Sequence, residues 1–260
     1  MFASGRIAYL LFRRGFERAW ETTSLRIWAS LVRQAHVILD VGSNVGVYAL
    51  TAKSVNPTAT VFAFEPYPPT FERLVANVEL NGFDIVTSSF AVSNQNGEAA
   101  LYAHAAEQLA SLESSDEQVN DTGTPITVKT TSLDDFADAH GLSRVDLIKI
   151  DIEGHEPKAL DGAERTLAAS RPTLLVEVLT GDVGEELWRR LEPLGYEAYR
   201  IFEQRGLARV AHPGGQSWQS RNCLFCPGGT LERHGLLPLV LETRPDESRP
   251  RRSRRPAPSR

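Results

Sequence analysis

Sulfur-containing residues are scarce in this chain, which has two cysteines and one methionine among 260 residues. Two cysteines exclude the disulfide framework that holds many small secreted domains together. Cys223 and Cys226 form a single CxxC within SWQSRNCLFCP, whereas a structural zinc site would require four ligands. Because this stretch alternates like a strand, we expect the two thiols on opposite faces. The low cysteine content predicts a reducing, cytoplasmic location.

Long apolar runs are also missing. Near the N-terminus, RIAYLLFRRGFERAW has only six consecutive apolar residues before Arg13 and Arg14, far fewer than the roughly 20 that cross a bilayer. This run is shorter than a usual signal-peptide core, and no small-residue cleavage site follows it. We therefore expect no transmembrane segment and an N-terminal helix packed on the domain. The alternative is a peripheral membrane helix.

The net charge of −5 is modest but unevenly distributed. Residues 242–260 include seven arginines and three acids, a net charge of +4, so the rest of the chain carries −9. An acidic body argues against a broad nucleic-acid-binding surface. The Arg/Pro/Ser-rich tail has no apolar periodicity, and we expect it to be disordered.

Strand and helix patterns alternate between these two ends. In VILDVGSNVGVYAL, residues 37–50, the first apolar run predicts a strand buried on both faces, and a helix is expected from about Asn44. Gly42 permits a tight turn, and Gly46 lets the helix lie close to it. Further strands are expected in TVFAFEP, DIVTSSFAVS, DLIKID, TLLVEVL, YEAYRIFEQR and QSWQSRNCLFCP, with an antiparallel pair in GEAALYAHAA and ITVKTTSL.

This alternation predicts an α/β fold with a doubly wound, mostly parallel seven-stranded sheet. An antiparallel edge strand is expected because the last two strands are joined without a helix. We expect an N-terminal helical extension at residues 1–35, the sheet domain at 36–230, and a C-terminal segment at 231–260. A chain of 260 residues is long enough for one such domain with additions.

Polar residues follow the predicted strands, and doubly wound sheets bind ligands at the carboxyl ends of their strands. Glu65 ends the second strand about 20 residues after the glycine turn, where an acid can accept bonds from two ribose hydroxyls. Its alternative role is to cap the following helix. The turn lacks GxGxxG and a phosphate-binding lysine, which favours a nucleoside without phosphates such as S-adenosylmethionine. The expected cofactor contacts are Asp40, Gly42, Ser43, Asn44, Gly46, Glu65, Pro66, Ala91 and Asp151.

Several of these stretches resemble the FkbM family of S-adenosylmethionine-dependent methyltransferases, over about residues 37–227. They are DVGSNVGVYAL, FEP, FAVSNQNG and VDLIKIDIEGHEPKALDGAERTL followed by RPTLLVEV. KIDIEGHE is the most specific of them, whereas many class I methyltransferases share the glycine turn. The resemblance implies a class I methyltransferase-like fold and methylation of a hydroxyl on a sugar, polyketide or other secondary metabolite. Ser43 departs from the alanine that is common there, and the arginine tail lies outside the pattern.

An alcohol acceptor has to lose a proton during methyl transfer. His155 is the candidate general base, because it directly follows the loop 151–154 at the site, and Asp151 or Glu153 orients it or takes the proton. The alternative for His155 is a capping or surface role. Together with Glu177, these residues also offer ligands for a divalent cation, which we consider possible but do not favour.

Two other function classes remain open. A nucleic-acid methyltransferase is suggested by the arginine tail, but amino-methylating enzymes place an Asn/Asp-Pro-Pro-aromatic motif where this chain has DIEG. The second class is a non-catalytic cofactor-binding or scaffold protein, against which the intact set of polar residues argues. A small-molecule or glycoside acceptor is expected to meet residues 94–125 and the N-terminal helix.

Overall fold

The computed structural model describes residues 21–103, 110–112, 125–213 and 221–241. Within them, twelve strands form two sheets. The strands are β1 Val37–Val41, β2 Thr60–Phe64, β3 Ile85–Ser88, β4 Ala91–Val92, β5 Gly97–Ala103, β6 Ala110–Ser111, β7 Ile126–Thr131, β8 Leu147–Ile150, β9 Thr173–Glu177, β10 Tyr196–Phe202, β11 Gly206–Val210 and β12 Asn222–Pro227. The large sheet has the order β11-β10-β12-β9-β8-β1-β2-β3.

Helices cover both faces of the large sheet. They are α1 Thr22–Val32, α2 Val47–Val55, α3 Pro68–Asn81, α4 Leu133–Ala139, α5 Glu156–Asp161, α6 Glu164–Ser170, α7 Gly181–Leu191 and α8 Thr230–Arg233, with 3₁₀ turns at Glu192–Leu194 and Leu237–Leu239. Ile38 of β1 belongs to the core shared with α1, α2 and α3. Its neighbour Leu39 belongs to the opposite core, with α4 to α7. A strand buried on both faces reads as a continuous apolar run, as the sequence of β1 does.

Strands β3, β2, β1, β8 and β9 are parallel, and their order reverses between β1 and β8. Helix α2 begins at Val47, three residues later than predicted. The reason is backbone geometry, because Asn44 (φ 50°) and Gly46 (φ 91°) are left-handed and extend the turn. The carboxyl ends of β1 and β8 therefore flank a loop that is longer than expected.

The predicted fold class is confirmed, with one strand more than the seven expected. Strand β12 lies between β9 and β10 and is antiparallel to both, and β11 is the antiparallel edge strand beside β10. The short segment GLARV forms strand β11 because it pairs with β10. Its local sequence pattern does not predict a strand. Cys223 and Cys226 are free and buried in opposite cores, as predicted.

The smaller sheet has the order β4-β7-β5-β6. Its β5 and β7 form the antiparallel pair predicted from GEAALYAHAA and ITVKTTSL. Much of the predicted acceptor-binding segment, at 104–109 and 113–124, lies outside the described residues.

The predicted N-terminal helix within residues 6–20 and the arginine tail at 242–260 also lie outside the described residues. Helix α1 belongs to the predicted extension 1–35. Its Ile27 and Trp28 pack into the same core as Ile38 of β1. The boundaries of the three predicted parts stay a prediction. Among the helices that the structure describes, none has the length and apolar character needed to cross a membrane.

Candidate functional site

The turn after β1 lies directly against the backbone that follows β8. Gly42 has a φ of +78°, and a Cβ atom there would lie 1.8 Å from the Asp151 carbonyl oxygen. The amides of Gly42 and Ser43 both donate to the Phe64 carbonyl, at 3.0 and 2.8 Å. A Cβ on Gly46 would lie 2.7 Å from the Leu74 side chain of α3. The Asp151 backbone at Gly42 and the left-handed backbone at Gly46 (φ +91°) therefore favour glycine at these positions. The contacts of Gly42 and Ser43 hold the turn between the ends of β2 and β8.

Glu65 joins this turn to the end of β2. Its Oε2 accepts a hydrogen bond from the Asn44 amide at 3.0 Å, and its Oε1 accepts one from the Tyr67 amide at 3.0 Å. The side chain is 7% exposed, and burial raises the pKa of Glu65 to about 7. Tyr67 is the N-cap residue of α3, so the capping alternative holds in part. Glu65 also orders the turn in which the cofactor is predicted to bind.

Asp40 and Ser43 are turned into the protein. Asp40 is 1% exposed, and its Oδ2 accepts a hydrogen bond from the Ala49 amide in the first turn of α2 at 2.9 Å. The Ser43 hydroxyl donates to the Asp40 carbonyl at 2.6 Å. Burial, partly offset by the Lys149 charge, raises the pKa of Asp40 to about 6. Both residues stabilise the turn and α2, and their contact with a cofactor stays a prediction.

Three carboxylates meet where β8 and β9 end. One oxygen each from Asp151, Glu153 and Glu177 lies within 4.8 Å of the others, and we call these three residues the acidic cluster. Burial and the Asp151 charge raise the pKa of Glu153 to about 7 and that of Glu177 to about 10. The structure thus brings together two of the three predicted catalytic residues.

Lys149 is a site residue that sequence reasoning missed. Its side chain is 1% exposed, and its Nζ donates to Asp151 Oδ2 at 2.8 Å. The same Nζ lies 5.1 Å from the centre of the Tyr48 ring. Burial alone would lower the pKa of Lys149, but the neighbouring Asp151 charge outweighs it and the pKa is raised. Burial alone would raise the pKa of Asp151, but the Lys149 charge and hydrogen bond lower it. The signal in the sequence was a single lysine inside the otherwise apolar run of β8.

Glu21 reaches the same region from the start of α1 and was also missed. The Tyr48 hydroxyl donates to Glu21 Oε2 at 2.5 Å, and burial raises the pKa of Glu21 to about 7. Glu203 holds the start of α1 by accepting from the Thr23 amide at 2.7 Å and the Ser24 hydroxyl at 2.5 Å. The position of Glu21 therefore depends on a contact between α1 and the residue that follows β10.

His155 lies at the start of α5 and is 8% exposed. Its Nε2 forms a hydrogen bond with the Ser93 hydroxyl at 2.9 Å, and its side chain does not cap the helix. Glu156, which is fully buried, accepts from the amides of Ile152 and Gly154 at 3.0 and 3.2 Å and so shapes the loop after β8. The catalytic role of His155 stays a prediction.

The two remaining predicted cofactor contacts lie on either side of α3 in the sequence. Pro66 directly follows Glu65 and is partly buried. Ala91 is 3% exposed and belongs to a small core with Leu101 and Val128 of the second sheet. Their contact with a cofactor stays a prediction.

The glycine turn, Glu65 and the acidic cluster share the edge of the sheet at which doubly wound proteins bind ligands. The family model for the methyltransferase FkbM domain matches residues 40–198, which include these three features. This chain belongs to the FkbM methyltransferase family. Membership confirms the predicted fold class and the prediction of an S-adenosylmethionine-dependent methyltransferase.

Curated relatives of this FkbM-family chain include three named methyltransferases. Hexuronic acid methyltransferase AglP of Haloferax volcanii is 28% identical over 172 residues, which cover 64% of this chain and 68% of the relative. 2-O-methyltransferase NoeI of Sinorhizobium fredii is 31% identical over 166 residues, 58% and 68% of the two chains. 31-O-demethyl-FK506 methyltransferase FkbM of Streptomyces tacrolimicus is 31% identical over 159 residues, 51% and 61% of the two chains.

Solved structures with a similar fold include the FkbM methyltransferase from Methylobacillus flagellatus, with a TM-score of 0.48 and 16% identity. The similarity covers 74% of this chain and 43% of that one. TrmK of M. capricolum, solved with S-adenosyl-homocysteine, has a TM-score of 0.45 and 11% identity over 79% of this chain and 68% of that one. The family assignment rests on the sequence match.

Proposed function

We propose that this methyltransferase transfers a methyl group from S-adenosylmethionine to a hydroxyl oxygen of a sugar, polyketide or similar small molecule. The observation that carries the proposal is the presence of the Gly42 turn, Glu65 and the acidic cluster at one edge of the sheet. Relatives named for a hexuronic acid, a 2-O position and a 31-O position support oxygen as the methylated atom.

Glu65 fits the ribose of the cofactor. An ionised carboxylate has about four lone-pair positions, and the amides of Asn44 and Tyr67 occupy two of them. The others are available to two ribose hydroxyls. The bare backbone of Gly42 leaves room for close approach of a ligand, and the bound cofactor supplies the electrophilic methyl group.

The acceptor is placed by the acidic cluster in this proposal. Asp151 and Glu153 lie on the loop after β8, across the reversal of strand order from the glycine turn. Carboxylates accept hydrogen bonds from hydroxyl groups and so align an acceptor for in-line transfer. The protein's contribution is then alignment together with removal of the hydroxyl proton.

The predicted general base is tested by His155→Ala, with the exposed His36→Ala as a matched control. General-base assistance is worth about 10² to 10⁴ in rate, so kcat should fall by that factor while the affinity for S-adenosylmethionine is retained. His36→Ala should turn over at the native rate. A lower melting temperature with unchanged kcat would instead assign His155 a structural role through its bond to Ser93.

The acceptor class is tested by a screen with methyl-labelled S-adenosylmethionine over glycosides, uronic acids, polyketides and RNA. We expect label on a hydroxyl oxygen of a sugar or polyketide, and loss of labelling in Asp151→Asn. Labelled RNA would support the nucleic-acid alternative. Cofactor binding without transfer to any acceptor class would support a non-catalytic role.

A further inference from the structure

One row of residues crosses the carboxyl edge of the large sheet. Asn222, the first residue of β12, lies directly opposite Glu177, the last residue of β9, so the two face the same side of the sheet. Continuing the parallel register of β9, β8, β1 and β2 by one residue extends this row across the sheet. In order, the row is Glu65, Gly42, Asp151, Glu177 and Asn222.

The side-chain amide of Asn222 has a fixed orientation. Asn222 is 3% exposed, and its Nδ2 donates to the Ser24 hydroxyl oxygen at 3.2 Å. That hydroxyl donates its own proton to Glu203 Oε1 at 2.5 Å, so towards Asn222 it can only accept. An amide turned the other way would set Oδ1 against an oxygen with no proton left to donate. The amide oxygen of Asn222 therefore points away from Ser24.

This amide oxygen is an unused acceptor at the edge where the cofactor is proposed to bind. Among the residues that the structure describes, none forms a hydrogen bond with Asn222 Oδ1. A buried acceptor without a donor lowers the stability of the fold, and buried polar groups normally have a partner. We therefore expect a bound molecule to supply the donor.

The order of the row indicates which molecule that is. In the proposed function, Glu65 binds the ribose of the cofactor and Asp151 aligns the acceptor hydroxyl. Asn222 lies two strands beyond Asp151, on the side away from Glu65. At the spacing of neighbouring strands this is about 10 Å. A donor at that position belongs to the acceptor, in a part remote from the oxygen that is methylated.

We propose that Asn222 is a specificity-determining residue, whose Oδ1 accepts a hydrogen bond from a second hydroxyl of the acceptor. The inference rests on the proposed function and names the part of the acceptor that is recognised. Sugars fit this separation because they carry hydroxyls on opposite sides of a ring, whereas a simple alcohol has no second hydroxyl to offer. A site built to bond a hydroxyl discriminates strongly against an analogue that lacks it, since its buried polar atom then stays unpaired.

The first test is the stability of the full chain without a ligand. Asn222→Leu is similar in shape and removes the unused oxygen together with one hydrogen bond of 3.2 Å, so we expect a urea midpoint equal to or above the native one. Asn77→Leu is the matched control, because Asn77 is fully buried and donates to the Val45 carbonyl at 2.9 Å. Its midpoint should fall. An equal fall in Asn222→Leu would assign Asn222 a structural role and overturn the proposal.

The second test is an NMR titration of the full chain, with S-adenosyl-homocysteine present, with the methyl glycosides of glucose, galactose and mannose. We expect at least one glycoside to bind the native chain and to bind Asn222→Leu at least tenfold more weakly. The affinity for S-adenosyl-homocysteine should be the same in both. Asn81→Leu, at an exposed asparagine that ends α3, should bind the glycoside as the native chain does.

The role of Asn222 would be contradicted if no glycoside bound the native chain, or if Asn222→Leu kept the native glycoside affinity. Weaker binding of S-adenosyl-homocysteine alone in Asn222→Leu would assign the donor to the cofactor and also overturn the proposal. Methyl transfer by Asn222→Leu with the native KM for the acceptor would remove this inference and leave the methyltransferase proposal standing. If glycosides bind through Asn222 but the native chain does not bind S-adenosylmethionine, the proposed function fails instead.

Discussion

The buried carboxylates Glu65, Glu156 and Asp40 accept backbone N–H groups, and their burial determines how each responds to pH. Glu65 and Glu156 accept backbone N–H groups, and Asp40 accepts one from α2. Burial raises the pKa of Glu65 and Glu156 to about 7 and that of Asp40 to about 6. Because these folded-state values exceed the unfolded ones, the stability the groups contribute is complete below about pH 4 and is lost as pH rises through 6 to 7.

Cofactor binding should respond to pH in the opposite direction through Glu65. The ionised carboxylate accepts the ribose hydroxyls, so protonation below about pH 7 competes with binding. We expect the affinity for S-adenosylmethionine to fall as pH is lowered from about 8 to about 6, and Glu65→Gln to flatten this dependence. Calorimetry across that range measures it. An equally steep profile in Glu65→Gln would assign the effect to another group.

Residues at strand ends were predictable, and those that reach the site from elsewhere were not. Glu65, Asp151 and Glu153 follow apolar runs, so parallel pairing alone places them at one edge. Lys149 lies inside a strand, and its long side chain extends to Asp151. Glu21 reaches Tyr48 through a contact across 27 positions in sequence, which no local pattern encodes.

At the scale of elements, the approach of the β1 turn to the β8 loop is tested by two glycines with similar backbone geometry. Gly42 (φ +78°) faces the Asp151 carbonyl, whereas Gly82 (φ +62°) at the end of α3 has no atom within 4 Å of a built Cβ. Gly82→Ala should cost about 1 to 2 kcal/mol for its left-handed backbone. Gly42→Ala should cost about 1 to 3 kcal/mol more, because the clash adds to the strain. Urea denaturation measures both losses, and equal losses would contradict the close approach.

The attachment of α1 depends on Glu203, which accepts from the amides of Thr23 and Ser24 and from the Ser24 hydroxyl. Glu203→Ala leaves the first amides of α1 without this acceptor and should lower the free energy of unfolding by about 1 to 2 kcal/mol. Glu185→Ala, an exposed substitution on α7, should change it by less than about 0.5 kcal/mol. Equal denaturation midpoints for the two variants would show that Glu203 does not hold α1.

At the scale of the whole molecule, alternation of strands and helices predicted the layered fold, because parallel strands buried on both faces read as apolar runs. It did not predict β11, nor that β12 enters between β9 and β10. Those features arise from pairing between strands.

The family match ends at residue 198, yet Arg221 contacts Glu177 from beyond it. The site therefore uses parts of the chain outside the matched region. A cytoplasmic location stays a prediction.

In the proposed function, the edge formed by the β1 turn and Glu65 binds S-adenosylmethionine. This binding is measured by titration calorimetry of the native chain, Glu65→Ala and the exposed control Glu72→Ala with S-adenosylmethionine. We predict saturable binding to the native chain and the control. Glu65→Ala should bind about tenfold or more weakly, because it loses charge-assisted hydrogen bonds of about 1.5 to 3 kcal/mol each. Native affinity in Glu65→Ala, or no binding to the native chain, would show that this edge does not bind the cofactor through Glu65.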